Sequence, residues 1–315
     1  MLWYSLRRIA YIIPILFGVS VVCFSLVHLA PGDPMTAVMP EFASAELIAQ
    51  IKQAYGFDKP LPVQYLYWLQ AIVSGDLGTS TTQNRPVLDE LTPAIWNTAQ
   101  LAIFGMLISL AAGIGLGVLA AYTRRLVTDR TITAVAIVGV SVPHYWVGMV
   151  LVAVFAVQLG LLPAMGMANT GTGVFGLDDI RFMILPAVTL ALIPTGIIAR
   201  SVRATVLDVR RQEFVQTLQA NGLHPRRVFM HVVKNAAPSV LAIMGIQIAH
   251  LIGGSILVET VFGWPGTGYL LNTAIATRDL PLLQGTILVL AVFFVLMNFL
   301  VDLAQPFLDP RIKRQ

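Results

Sequence analysis

Residues 97–122 read Asn-Thr-Ala-Gln-Leu-Ala-Ile-Phe-Gly-Met-Leu-Ile-Ser-Leu-Ala-Ala-Gly-Ile-Gly-Leu-Gly-Val-Leu-Ala-Ala-Tyr, from Asn97 to Tyr122 without one charged side chain. A helix rises about 1.5 Å per residue, so roughly 20 apolar residues cross the hydrocarbon of a bilayer. This stretch is long enough to do so. Five further runs pass the same test, at 9–30, 131–159, 183–199, 236–261 and 281–304. The run at 183–199 is short and holds Pro186 and Pro194, which point either to a kink or to a helix continuing into the polar segment after it. The first run follows Arg7 and Arg8, as a signal peptide would. Its 22 residues exceed the roughly 7 to 15 apolar residues of such a region, and it reads as a span. The fold expected is an all-α polytopic membrane protein with six transmembrane helices.

Composition agrees. Apolar side chains make up 57% of the 315 residues and charged ones 11%, against roughly half and a quarter in water-soluble domains. The net charge of +4 does not imply nucleic acid, which needs a basic stripe on a soluble face; here the basic residues sit between apolar runs. The single cysteine, Cys23, lies inside the first run, so neither an intrachain disulfide nor a thiolate metal site is expected.

Orientation follows from Lys and Arg, which remain on the cytoplasmic side. The N-terminus, the loop after the second run, the segment 200–235 and the C-terminus carry 2, 3, 7 and 3 of the 20 basic residues, whereas the opposite loops carry 3, 1 and 1. Both termini are therefore expected in the cytoplasm, as an even number of spans requires.

Two loops are too long to be structureless connectors. In the outer loop 31–93, Ser44 caps a predicted helix with Leu47, Ile48, Ile51 and Tyr55 at helical spacing and Gly56 at its end. A second predicted helix covers 61–73 and stops before Ser74 and Gly75. Its Tyr65, Tyr67 and Trp68 suit a membrane interface, either packing on the spans or binding a ligand. This loop carries seven acidic and three basic residues, either a solvated face or a field that steers cations or a basic partner.

In the inner segment 200–235, Arg200, Val202, Arg203 and Val206 continue the fourth span as helix, and a short helix follows at 213–220 with Phe214, Val215 and Leu218 apolar. Asn221 and Gly222 end it, the glycine in the left-handed conformation, and Pro225 opens the next helix where its missing N–H costs nothing. The flanking Arg210, Arg211, Arg226 and Arg227 suit either lipid headgroups or insertion of the short helix into a partner's groove.

The stretch from Gln216 to Gly222, with His231, Asn235 and Pro238 after it, is similar to the cytoplasmic signature of ABC-importer permeases, whose broad form is Glu-Ala-Ala, three residues, then Gly. Over nearly its whole length the chain resembles the first permease subunit of the dipeptide, oligopeptide and nickel branch. The matching stretches are Pro31-Gly32-Asp33-Pro34, Gly56-Phe57-Asp58-Lys59-Pro60-Leu61, Gly75-Asp76-Leu77-Gly78-Thr79-Ser80, Arg85-Pro86-Val87, Ile184-Leu185-Pro186-Ala187 and Ala199-Arg200. They continue with Glu259, Phe262, Trp264-Pro265-Gly266-Thr267-Gly268 and Asp309-Pro310-Arg311-Ile312. Gln216-Thr217-Leu218 departs from Glu-Ala-Ala, and Gln219 and Asn221 replace residues often basic in this branch, while Gly222 is retained.

The resemblance implies a type I ABC-importer permease fold with a small helical extracytoplasmic insertion between the first two spans: residues 1–30 as N-terminus and first span, 31–96 as the insertion, 97–315 as the core with the coupling segment at 200–235. It implies a bacterial inner-membrane complex with a second homologous permease subunit, two ATP-binding cassette subunits and an extracytoplasmic substrate-binding protein. The chain is then no enzyme and holds no cofactor or metal, ATP and Mg being bound by the partner subunits. No phosphate-binding Gly-x-x-x-x-Gly-Lys-Ser/Thr loop occurs. Gly113-Ile114-Gly115-Leu116-Gly117 resembles one superficially, yet lies in the second span, where small residues permit close helix packing. On this resemblance Arg210, Arg211, Glu213, Phe214, Thr217, Leu218, Ala220, Gly222 and Arg226 couple to the ATPase, with Phe214 and Leu218 as apolar anchor and the arginines as polar rim. The expected cargo is a peptide or similar small solute; nickel or a metal chelate, glutathione and a sugar conjugate are the alternatives.

Ionisable groups at membrane depth are expensive and mark pathways by default. Glu259, His250 and Asp302 qualify; Glu259 has snorkelling, and His250 a satisfied interhelical hydrogen bond, as the plainer reading. Gln247 adds an amide, and Trp264, Pro265 and Gly266 form an outer turn that shapes a gate or meets the binding protein. An intramembrane enzyme finds no support, since His28, His144, His231 and His250 are scattered and no His-Glu-x-x-His occurs. A stand-alone channel is the remaining rival.

Overall fold

The computed structural model describes residues 2–29, 58–123, 125–168 and 177–308. Among these the chain is helical: α1 (Leu2–Leu29), α2 (Leu61–Val73), α3 (Val87–Tyr122), α4 (Leu126–Ser141), α5 (His144–Leu151), α6 (Leu177–Arg210), α7 (Glu213–Ala220), α8 (Pro225–Phe262), α9 (Thr267–Thr277) and α10 (Leu280–Leu308). Among the described residues the sole extended pairing is an isolated antiparallel bridge between Thr79 and Pro86. The helix predicted from Ser44 to Gly56 lies outside the described residues, as do residues 309–315.

Among the described residues four helices are long and apolar enough to cross a membrane, and a fifth is reached if α4 and α5 count as one bent span. That bend corrects the sequence reading. The run 131–159 is not one straight helix but two pieces at 102°, broken at Val142 and Pro143. Proline has no N–H to continue the ladder, and it drives the preceding residue into extended backbone; Val142 has φ −84° and ψ 134°. After α5 the chain continues in a wider π-type helical stretch, Val152–Gln158.

The two prolines of the fourth run do not stop it. α6 has 34 residues, about 51 Å at the helical rise, so it extends past the hydrocarbon and carries Arg200 to Arg210 as its polar end. α8, with 38 residues, is likewise longer than a span. Helix α9 has no counterpart in the sequence reading, which took the glycine-rich residues before it as a simple turn.

By packing, the chain forms two units, one of residues 1–98 and 265–296 and one of residues 99–264 and 297–315. In the first, α2 lies against α1 through an aromatic cluster: the Tyr65 ring meets Phe17 and Phe24 edge-on, and Trp68 lies 5.7 Å from Phe24. Ser20 Oγ and the Tyr65 hydroxyl share a hydrogen bond of 2.8 Å. Of the two roles open to these aromatics, Tyr65 and Trp68 take packing, here on α1, while Tyr67 is exposed.

A hairpin follows, in which Ser80 N–H donates to Arg85 O and Val87 N–H to Gly78 O. It is fastened to the turn between α9 and α10 by one carboxylate. Asp279 Oδ2 accepts from the Ser80 hydroxyl (2.5 Å), the Thr82 hydroxyl (2.8 Å) and Thr82 N–H (3.1 Å), while Oδ1 caps α10 by accepting from Leu282 N–H. Ser80 and Asp279 are both buried. Burial works to raise the Asp279 carboxyl, but the hydrogen bonds from Ser80, Thr82 and Leu282 outweigh it and hold the group below the ordinary carboxylate range.

The sign of the pH dependence follows. A depressed carboxylate stabilises the folded state above its unfolded value, near 4, and that contribution is lost as pH falls through the lower folded value. Asp279→Ala is therefore expected to lower thermal stability at neutral pH by about 2 kcal/mol, because it leaves a buried hydroxyl without its acceptor. The gap from wild type should narrow below about pH 4. Melting curves of both proteins from neutral pH down to the acid limit test this, and a gap independent of pH would contradict it.

The second unit is organised on α6. Its N-terminal half contributes Met183, Leu185, Ala187 and Leu190 to a buried cluster with Leu101 of α3, Leu251, Val258 and Phe262 of α8, and Trp264. Its polar half contributes Ile198, Val202, Val206 and Val209 to a second cluster. Helices approach α6 closely where a glycine lies at the contact. A Cβ at Gly117 would lie 2.6 Å from Ala199 O, one at Gly113 would lie 2.8 Å from Ile198 Cβ, and one at Gly196 would lie 2.5 Å from Ala136 O of α4. Gly113 and Gly117 thus serve helix packing, as the second-span reading holds, whereas Gly115 has open space beside it.

Candidate functional site

The residues singled out for coupling lie on the elbow formed by the end of α6, the short α7 and the start of α8. Eight residues are too few for a helix to persist alone in water, so α7 depends on its packing. It supplies Val215 to the second cluster, with Phe214, Leu218 and Leu223 packed against it. The same cluster holds Val206 and Val209 of α6, Val228, Val232 and Ala236 of α8, and Ala121 of α3. Phe214 and Leu218, expected to anchor a partner, are therefore half-buried on the chain's own core. Positions 214, 215 and 218 fall on one helical face, and that face is occupied. Glu213, Gln216, Thr217, Gln219 and Ala220 are exposed on the remainder.

The C-terminal end of α7 is closed by the backbone. Gly222, with φ +73°, donates its N–H to Gln219 O, and Leu223 N–H donates to Leu218 O. These two bonds make a Schellman cap, accompanied by the packing of Leu223 and Leu218 against one cluster. Pro225 stands at the first position of α8, where His224 Nδ1 accepts from Arg226 N–H at 3.3 Å. The elbow is thus a fixed turn with a polar outer surface.

Its arginines divide. Arg211 and Arg226 are exposed beside α7. Arg210 is partly buried and turned onto α3: its guanidinium donates to Ala121 O and lies 4.3 Å above the Tyr122 ring. One turn-pair earlier, Arg203 makes a fork-on-fork ion pair with Asp129, Nε to Oδ1 at 2.5 Å and Nη2 to Oδ2 at 2.6 Å. The sequence reading missed Asp129, because its partner lies 74 residues away and no local pattern announces it.

The pathway candidates have separate surroundings. Glu259 and Trp264 are fully buried, and Gln247 nearly so, in the second unit, whereas His250 is exposed. Trp264 N–H donates to Glu259 O and Gly263, with φ +56°, to Thr260 O, so that a second Schellman cap ends α8. Pro265 and Gly266 belong to the first unit, where Pro265 O accepts from Asn97 Nδ2 at 2.9 Å and Gly266 precedes α9. The side chain of Asp302 lies outside the described residues. Among the described residues no group of three or more His, Cys, Asp or Glu side chains is placed to hold a metal.

Two family profiles match. One, the binding-protein-dependent transport system inner membrane component, covers residues 113–314, and its N-terminal companion covers residues 1–101. The dipeptide transport system permease protein DppB of Alkalihalophilus pseudofirmus is 38% identical, over 99% of this chain and 100% of its own. That of Escherichia coli strain K12 is 36% identical, over 100% of both chains. The glutathione transport system permease protein GsiC of Escherichia coli O6:H1 is 37% identical, over 99% of each. Among solved structures, the inward-facing MetNI methionine ABC transporter aligns with a TM-score of 0.56 at 18% identity, over 70% of this chain and 97% of that one. At that identity the likeness speaks for the fold.

Proposed function

Because the chain belongs to the binding-protein-dependent transport inner membrane components, we propose that it is the permease subunit of an ATP-driven importer of di- to tripeptide-sized cargo, conducting as half of a pair. The observation that carries this reading is the elbow itself. A helix of two turns, closed by Gly222 and Pro225 and built on a buried valine, presents only polar and small side chains outward, inside the segment that matches the family. Such a surface suits a groove on a partner.

On this reading six spans cross the bacterial inner membrane, with α4 and α5 forming one broken span and both termini in the cytoplasm. Residues 31–96 form an extracytoplasmic insertion and 97–315 the core. ATP and Mg are bound by two ATP-binding subunits, whose closure pushes on Arg211, Glu213, Thr217, Ala220, Gly222 and Arg226; this chain itself holds neither cofactor nor metal. A binding protein delivers the cargo, and Glu259, Gln247, His250 and Trp264 to Gly266 stand as candidates for the pathway and outer gate. Dipeptide and glutathione permeases are similar to this chain to nearly the same degree, which favours a peptide backbone as the common feature recognised.

Gentle extraction of the tagged chain from native membranes, followed by mass spectrometry of what copurifies, tests the proposal. A second permease with ATP-binding subunits is the expected result. Recovery of the chain alone, under conditions that preserve a control transporter, would favour a stand-alone channel.

A further inference from the structure

Arg203 and Arg210 are seven residues apart on α6, two helical turns, so they project from nearly one face about 10 Å apart along the axis. Each holds a different end of the turn between α3 and α4. Arg210 is bound at Ala121 O, in the last turn of α3, with the Tyr122 ring beneath it. Arg203 is bound at Asp129, in the first turn of α4. The polarity is favourable at both points, since a helix C-terminus attracts a cation and a helix N-terminus an anion. Between the two arginines lies Val206, buried in the cluster that also takes Val215 of α7.

One contact between two elements is a pivot; two contacts separated along an axis stop sliding and leave only rotation about the line that joins them. We infer that Arg203 and Arg210, seated on Asp129 and the Ala121 carbonyl, form a two-point clamp that makes the α3–α4 turn move with the α7 elbow, and that they are positioning residues of the transport cycle. The inference rests on the reading of α7 as the segment moved by the ATP-binding subunits. It gives Arg210 a role inside the chain, distinct from the exposed rim of Arg211 and Arg226. The fork of Arg203 on Asp129 matters more than its charge, because only a planar two-pronged donor fixes orientation as well as distance.

The complete complex, reconstituted in proteoliposomes with its binding protein and given radiolabelled dialanine, reports cargo moved per ATP hydrolysed. Arg203→Ala and Asp129→Ala are each expected to lower that ratio roughly tenfold while ATP hydrolysis continues, and Arg203→Lys to fall between them and wild type. The double variant should be no worse than either single one, since both remove the same contact. A wild-type ratio in Arg203→Ala, or losses that multiply in the double variant, overturns the clamp. Should Arg203→Ala not assemble, Arg203→Lys decides: an unchanged ratio overturns the inference, and a lowered one supports it. Uptake by the wild-type complex that ignores ATP would instead sink the importer reading, and the two failures are distinguishable.

Discussion

Gly222→Val is expected to abolish most ATP-coupled uptake while leaving the ATP-binding subunits able to hydrolyse ATP. The cost is one of backbone, not of space. Nothing lies within 4 Å of a Cβ added at this position, yet φ is +73°, where an L side chain costs roughly 1–2 kcal/mol and a β-branched one more. That cost falls on an eight-residue helix held by three apolar side chains and two capping hydrogen bonds, so it is large against the elbow's own stability. If the turn opens, Leu223 leaves Leu218 and the outer face of α7 loses its aim. A substitution series separates this mechanism from mere bulk. Asn tolerates the left-handed region, so Gly222→Asn should keep most uptake, Gly222→Ala less, and Gly222→Val least. The measurement is cargo uptake alongside ATP hydrolysis in the reconstituted complex. Equal uptake by the valine and asparagine variants would show that the left-handed turn does not matter to coupling.

The elbow was legible because its signals are local. Gly222 and Pro225 punctuate three apolar residues at helical spacing, and the structure reproduces the predicted limits of α7 and the start of α8. The same holds for α2, bounded by Pro60 and by Ser74 and Gly75. Where the reading departed from the structure, the deciding contact was either far away in sequence or hidden inside a uniform apolar run. Val142 and Pro143, with Ser141 and His144 beside them, lie between long apolar stretches and carry no charge, so a count of hydropathy passes through the break unaware, although proline's restriction on the residue before it was there to be read. Asp129 and Asp279 have no local pattern: one meets Arg203 and the other Ser80, partners brought together only by the packing of helices distant in the chain.

The roles of Phe214 and Leu218 show the same limit in another form. Their spacing announces an apolar face without saying what covers it. A partner's groove and the chain's own core are indistinguishable from one helix; the cluster of Val206, Val209, Val228 and Val232 decides for the core. The Gly75 to Val87 stretches, by contrast, gained a physical reason from the structure. Gly78 takes φ +82°, Ser80 binds Asp279, and Val87 packs so closely on Gly285 that a Cβ there would come within 2.6 Å of the valine side chain.

Gly117→Leu is expected to produce the largest loss of stability among single changes in α3, against the trend of intrinsic propensity. Leucine favours a helix over glycine by nearly 1 kcal/mol, so a residue chosen only for helix formation would be an improvement. The neighbouring helix reverses the sign. The first added atom alone would lie 2.6 Å from Ala199 O and 2.7 Å from Val202 Cβ, and a backbone oxygen on a packed helix does not rotate aside. Relief requires α3 to move away from α6, which opens the junction holding Ala121 against Val202 and Val206. Overpacking of this kind costs about 3 kcal/mol or more where the neighbour is backbone. Gly113→Leu should cost less, because the nearest backbone oxygen, Thr195 O, stands 3.2 Å from the added Cβ, against 2.6 Å at Gly117, although the buried Ile198 side chain at 2.8 Å still opposes it. Gly115→Leu is the control in the same helix: with no atom within 4 Å, it should stay within about 0.5 kcal/mol of wild type or gain slightly. Thermal melting of the three purified variants gives the order directly. Equal melting of Gly117→Leu and Gly115→Leu would mean that α3 does not rest on α6 at Ala199, and with that the seat of Arg210 on α3 would lose its support.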